Sequence, residues 1–362
     1  MSSRLHIIHV LRNLKYGGCQ TLALTLIQNL ADHIHTVVYL NNEEDYSQSM
    51  HREFIEITPC VFIPQSSKRL QGEIRSLHSR RESMPLVLNW FFPFMLLPGR
   101  LPDWPCIHHV GTSAFALSTK AIIKQQAIFI LSRLIDTGEK HRIVCASRHV
   151  ARSFRNRFAV LPPNFGAVIP NGTSPRTSAR TEPAQNLFTF AMIGRLDGSK
   201  DFASFILFSK AMKSLLPNAC RFLIIGDGSH FSSIASFNIR HGSPCDMVGL
   251  RTSRASLYQD VDCLVFFNTE EEGFGNVIIE AMHEGIPVIT HSIGASNEII
   301  TDGFDGFTVK RWENALAPAQ LLATDYDIWR KIGAMGQVTA RTRYSADTFA
   351  RSYLQVAQAL LS

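Results

Sequence analysis

DCLVFFNTEEEGFGNVIIEAMHEGIPVIT, residues 262–290, holds a complete strand–loop–helix–strand unit. DCLVFF (262–267) is a short apolar run, the pattern of a strand buried on both faces of a parallel sheet. A helix over 275–285 follows, and PVIT is the next buried strand. Glu272 and Glu280 are separated by seven residues, and GFGN between them supplies a tight turn and a helix N-terminus. A helix start presents free N–H groups and the positive end of its dipole, which suit phosphate or sugar oxygens. Glu272 sits on the loop and Glu280 about one turn into the helix, where carboxylates accept hydrogen bonds from sugar and ribose hydroxyls.

The same alternation extends in both directions. Upstream lie LFTFAMIG (187–194), a helix over 201–216, RFLIIG (221–226) and DMVGL. Further back are LHIIHVL (5–11), the amphipathic QTLALTLIQNLADH (20–33), TVVYL (36–40), LVLNWFF, CIHHV, the helical KAIIKQQAIFILSRLID (120–136), and RIVCAS. Buried strands alternating with helices of ten or more residues indicate parallel sheets built from βαβ units. The pattern breaks at 167–186, where three prolines with Ser, Thr and Gly and few aliphatic residues read as a linker. The expectation is an α/β chain of two Rossmann-like, doubly wound domains facing a central cleft. Residues 1–170 form the first domain, 171–186 the linker and 187–344 the second domain. A C-terminal helix over 345–362 has the option of crossing back to the first domain. Ligands of open α/β sheets bind at the carboxyl ends of the strands.

With 362 residues, 45% of them apolar and 18% charged, each half can bury a core, which excludes disorder. Seven scattered cysteines without a CxxC pair argue against a disulfide framework or a zinc site, and predict reduced thiols in a cytoplasmic protein. The N-terminal apolar run is too short and too polar for a signal peptide. PLVLNWFFPFMLLP (85–98) falls short of the roughly 20 residues that span a bilayer. Charge is uneven: residues 1–160 carry 19 Lys/Arg against 11 Asp/Glu, a net +8, and the remainder carries 17 against 19, a net −2. A basic first half suits an anionic partner such as a membrane surface. No nucleic-acid partner is expected.

Further groups fall at strand-to-helix turns. In GRLDGSK, Arg195 and Lys200 put two cations at a strand end, where Arg grips phosphate oxygens bidentately and Lys adds a point charge. YGGCQ places Gly17 and Gly18 in the first such loop, allowing close backbone approach to a ligand. PCIHHVGTSAF puts His108 and His109 at a strand end, with the alternation turning one of them outward. GDGSHF has two glycines, but no GxGxxG opens a helix with an acidic residue at the usual distance, which excludes a plain NAD-dependent oxidoreductase. Asp325 and Asp327 form a DxD, yet TDYDIWRKI reads as a capped helix start, so no metal and no cofactor are expected.

The run 270–289, with PNGT (170–173), IGRLDGSKDF (193–202), LIIGDGS (223–229), VGL (248–250) and YGGCQ (16–20), resembles glycosyltransferase family 4, the group 1 transferases of the GT-B fold. The likeness is dense over 187–310 and sparser before 165. It implies a retaining, metal-independent transferase with a nucleotide-sugar donor on the second domain and a glycan or lipid-linked acceptor on the first. By the same resemblance, Arg195 and Lys200 hold the donor diphosphate. Glu272 orients sugar hydroxyls and Glu280 the ribose, and the main chain of Phe274, Gly275, Asn276 and Val277 surrounds sugar and phosphates. The main chain near Val248, Gly249 and Leu250 receives the base. Gly17 and Gly18 meet the phosphates or the sugar, and His109, with His108 as the alternative, contacts the transferred sugar. Two rivals remain: a GT-B sugar-nucleotide epimerase or hydrolase, and a catalytically silent binding subunit.

Overall fold

A computed structural model describes residues 4–14, 17–41, 48–64, 66, 70–79, 83–90, 104–134, 140–162, 164–175, 187–251 and 254–362. The chain divides into two compact units, residues 1–172 with 346–362, and residues 173–345.

The first unit is a parallel sheet of seven strands: β1 Leu5–Leu11, β2 Ile34–Tyr39, β3 Cys60–Phe62, β4 Met84–Asn89, β5 Cys106–Val110, β6 His141–Cys145 and β7 Phe165–Val168. Their order is β3-β2-β1-β4-β5-β6-β7, and the change of direction beside β1 is that of a doubly wound sheet. β1 is buried along its whole length, its two histidines His6 and His9 included, as befits a parallel strand covered on both faces. Leu5, Ile7, Leu11, Leu86, Leu88 and Ile107 face one layer, and Ile8, Val10, Val38 and Val87 face the other. The last helix, Ala346–Leu361, belongs to this unit. Phe349, Ala350, Tyr353 and Ala357 enter the layer that holds Leu22 and Leu26 of the helix Gly18–Asn29. Trp90 is buried there against His9 and Tyr353, so it is core; the neighbouring Phe91, Phe92 and Phe94 lie outside the described residues.

The second unit is a parallel sheet of six strands: β8 Phe188–Ile193, β9 Cys220–Ile225, β10 Asp246–Gly249, β11 Cys263–Phe266, β12 Val288–His291 and β13 Phe307–Val309. Their order is β10-β9-β8-β11-β12-β13. One core face is dominated by aromatics, with Phe190, Phe205, Phe208, Phe222 and Phe267 in mutual ring contact. Truncating such a ring to Ala costs roughly 3–5 kcal/mol. Since β8 continues to β9 on one side and pairs with β11 on the other, the chain reverses its winding between β8 and β11. A crevice for ligands opens at such a switch point. The expected linker is described only to residue 175 on its first-domain side, and 176–186 lie outside the described residues.

Candidate functional site

Two loops meet at the carboxyl ends of β8 and β11. The loop after β8 carries Arg195 and Lys200 and ends at Asp201, whose carboxylate caps the helix Phe202–Leu215 by accepting from the Ser204 amide at 3.0 Å. Three bonds fasten it to the loop after β11: Asp201 N donates to Phe267 O (3.1 Å), Thr269 N to Ser199 O (3.2 Å) and Thr269 Oγ1 to Gly198 O (2.6 Å). The fastening sets Lys200 beside Glu272, 72 residues away in sequence. The Lys200 ammonium donates to the Glu272 carboxylate and, at 2.9 Å, to Asn268 Oδ1, and lies 4.6 Å from the Phe266 ring centroid. The pair is largely shielded, with side-chain exposures of 15% and 23%, so its attraction is screened less than that of a surface pair. Asn268 Nδ2 and His291 Nε2 are buried at the same strand ends without a hydrogen-bond partner among the described residues. Buried polar atoms of that kind call for a ligand or water.

Arg195 differs from Lys200. Its side chain is 79% exposed and, among the described residues, is held by Asp197, whose Oδ2 accepts from Arg195 Nε at 2.6 Å. Burial would raise the Asp197 carboxyl, but hydrogen bonds from Ser199 and Arg195 outweigh it and keep the group below the usual carboxylate range. The guanidinium is thereby aimed and remains open to a phosphate.

Glu272 is fixed by its backbone. Its carbonyl accepts from Ala295 N at 3.0 Å, and Gly294, at φ +62°, lies so close that a methyl group there would overlap that carbonyl oxygen. The glycine is thus required twice, by its left-handed conformation and by the close approach. Gly275 (φ +88°) precedes the helix Asn276–His283, and no side chain caps this helix start. Phe274 is buried edge-on against Tyr344. Glu280 is the fifth residue of that helix, buried, and accepts a hydrogen bond from the Tyr258 hydroxyl at 3.1 Å; the same hydroxyl lies 3.2 Å from Val277 O. Val248 and Leu250 are exposed at the end of β10, whereas the Gly249 carbonyl accepts from Gly226 N at 2.9 Å. Gly226 and Gly228 serve packing, since a side chain at either would strike the backbone of Gly194 or Leu196.

The remaining expected residues belong to the first unit. Gly17 is the extended residue before the helix Gly18–Asn29, again without a side-chain cap, and its φ of −176° makes no demand for glycine. The histidines correct the sequence reading, which turned one of the pair outward at a strand end. Both are buried inside β5, on opposite faces of the sheet, because adjacent strand residues alternate and both layers are covered. His109 Nδ1 lies 2.7 Å from the Tyr353 hydroxyl and the ring packs on Trp90, while His108 contacts Asn89 and His141. Burial lowers the His109 pKa to about 4, so its imidazole is neutral near pH 7. Gly111 leaves the space beside its Nε2 clear. The Asp325 carboxylate caps Tyr326–Arg343 by accepting from Ile328 N at 3.1 Å, as its sequence context indicates. Asn268, Asp197, Tyr258 and Gly294 escaped the sequence reading. Only Asn268 carries a local signal, a polar residue directly after a buried run.

Residues 188–323 match the family described as Glycosyl transferases group 1. This segment is similar to a group 1 glycosyltransferase domain. Arg195, Lys200, Glu272 and Glu280 all fall inside it. Across both units the chain has the GT-B fold. It is similar to Anabaena Alr3699/HepE, solved in complex with UDP and glucose, with a TM-score of 0.77 and 15% identity over 98% of this chain and 100% of that one. Among curated relatives, the UDP-Gal:alpha-D-GlcNAc-diphosphoundecaprenol alpha-1,3-galactosyltransferase of Escherichia coli is 25% identical over 85% of this chain and 84% of its own length. The glycosyltransferase MJ1178 of Methanocaldococcus jannaschii, itself uncharacterized, is 31% identical over 62% of this chain. The chain spans 60% of the length of that relative and 28% of another. Among the described residues no helix is long and apolar enough to cross a membrane.

Proposed function

We propose that the chain is a retaining glycosyltransferase that moves a hexose-type sugar from a nucleotide-sugar donor to a glycan or lipid-linked acceptor, in the synthesis of a cell-surface polysaccharide or glycolipid. The observation that carries the reading is Lys200, held between Glu272 and Asn268 at the β8/β11 switch point within reach of the exposed Arg195 loop. Two cations at one strand end match the charge of a diphosphate. Arg195 grips it, and Lys200 exchanges part of its contact with Glu272 for a phosphate oxygen as charge develops on the leaving group. Glu272 then accepts from sugar hydroxyls, the open start of Asn276–His283 offers main-chain donors, and Glu280 accepts from the ribose. With both cations on the diphosphate, no divalent ion is needed there. Retention follows from same-face substitution, in which the departing phosphate oxygen takes the acceptor proton.

A UDP-sugar is the first donor to test, because one of the similar proteins is named for UDP-Gal and another, Alr3699/HepE, is also solved in complex with UDP-glucose. Thermal protection by UDP- and GDP-sugars, followed by transfer assays without added magnesium or manganese, tests the reading. Protection and turnover are expected to vanish in Glu272→Ala and Arg195→Ala; near-wild-type turnover in either variant overturns the assignment. A donor-only assay separates transfer from an epimerase or hydrolase, which would convert the donor without an acceptor.

A lipid-linked acceptor is favoured by the surface of the first unit. Arg148, Arg152, Arg155 and Arg157 are all exposed on one helix, Arg148–Arg157, whose Val150, Ala151 and Phe154 face inward. It packs through Phe154 and Phe158 on Phe129 of the helix Thr119–Leu134. That second helix exposes Ile123 (67%) and Ile130 beside Lys120 and Lys124. Exposed aliphatics among cations suit the interface of an anionic membrane, on the inner face of which the protein would act from the cytoplasm.

A further inference from the structure

We propose that Cys106, His108 and His141 form a zinc-binding site in the first unit, distinct from the donor residues. β5 and β6 run parallel with Cys106 paired to His141, and Cys106 and His108, two residues apart, share a sheet face. The Cys106 sulfur and one ring nitrogen of each histidine lie within 4.8 Å of one another. His108 Nε2 stands 2.8 Å from His141 Nδ1, with the rings stacked at 5.0 Å.

The neighbours on that face include Val87, Ile143 and Cys145, which sit in apolar clusters, and the buried amide of Asn89. Two imidazoles and a thiol converge inside this layer, the imidazoles hydrogen-bonded to one another and His108 also to Asn89. Thiol and imidazoles are the donor set that zinc prefers. Zinc bonds nitrogen at about 2.0–2.1 Å and sulfur at about 2.3 Å in tetrahedral geometry, so the two facing nitrogens need part by only about half an ångström. Zinc displaces the thiol proton and bonds the thiolate. The fourth position falls to water on the side of His141, the least buried of the three.

Asn89 of β4, paired in register with His108, reaches His108 Nδ1 at 2.8 Å. Its amide can turn its oxygen to that nitrogen, so that Nδ1 carries the hydrogen and Nε2 is left for the metal. Cys106 and His141 begin their strands, so the ion would clamp β5 to β6 at the end of the sheet away from the carboxyl ends.

The test uses the full chain, reduced and stripped of metal, titrated with Co(II) and then Zn(II). One Co(II) per chain is expected, with a thiolate-to-cobalt charge-transfer band and tetrahedral d–d bands that zinc abolishes, and zinc is expected to raise the melting temperature. Cys106→Ser should lose the charge-transfer band, whereas Cys245→Ser, a buried cysteine of the second unit, should keep it. Asn89→Ala should weaken zinc by about 10–100-fold. Wild-type protein without the charge-transfer band overturns the proposal, a result independent of whether any variant folds. So does a band that survives in folded Cys106→Ser.

Discussion

Replacing Gly294 by alanine tests the site without touching any residue assigned to the substrate. A methyl group at 294 would overlap the Glu272 carbonyl oxygen and stand 2.7 Å from the Glu272 amide nitrogen, where ordinary contact begins at 3.4 Å. The carbonyl oxygen, nearer still to the added carbon, sets the larger demand, so the loop carrying Glu272 must retreat by about 1 Å, and a misplacement near 1 Å at a reacting site costs on the order of 100-fold in rate. Gly303→Ala is the matched control. It also has positive φ, +72°, but nothing lies within 4 Å of its added carbon, so it bears only the left-handed backbone cost of about 1–2 kcal/mol. Both variants should melt a few degrees below the parent. Donor protection and kcat/KM should fall by about 100-fold in Gly294→Ala and stay within about twofold in Gly303→Ala. A Gly294→Ala protein with parental kcat/KM, or equal losses in the two variants, would refute the placement of Glu272 as the residue that positions the sugar.

Other outcomes follow from the same coordinates. Acid should destabilise the first unit: burial depresses His109 to about 4 and also lowers His9, His35 and His108. The unfolded chain then binds more protons below its histidine pKa near 6.5, so stability is full above that pH and is lost as pH falls. His109 alone should cost about 2 kcal/mol by pH 5, which calorimetry at pH 7 and 5 would detect; a slope unchanged in His109→Asn counts against it. Tyr258→Phe removes the hydroxyl that holds Glu280 and should raise the donor KM about fivefold with kcat nearly constant. A fall in kcat at fixed KM would contradict a ribose role for Glu280. Low-salt co-sedimentation with anionic vesicles should be lost when the four arginines of 148–157 become glutamine; binding that is absent in the parent, or unchanged in the variant, removes the membrane reading.

Much of this architecture is written locally. Strands such as β1 and β8 are short, predominantly apolar runs because parallel strands are covered on both faces, and helix starts such as Asp201 and Asp325 announce themselves by their caps. Arg195, Lys200 and Glu272 stood out as candidates for the same reason, since each sits at a turn whose glycines and polar residues interrupt such a run, and Glu280 by its spacing from Glu272 within the following helix. Contacts set by strand order and register were not legible, because no local periodicity records which strands become neighbours. The β8–β11 pairing brings Lys200 to Asn268 and Glu272, and burial on two covered faces sends His108 and His109 to opposite sides of β5. The last helix joins the first unit through apolar positions that, read alone, fit any core. The thiol and imidazoles at 106, 108 and 141 look scattered along the chain and converge only because β5 lies in register with β6.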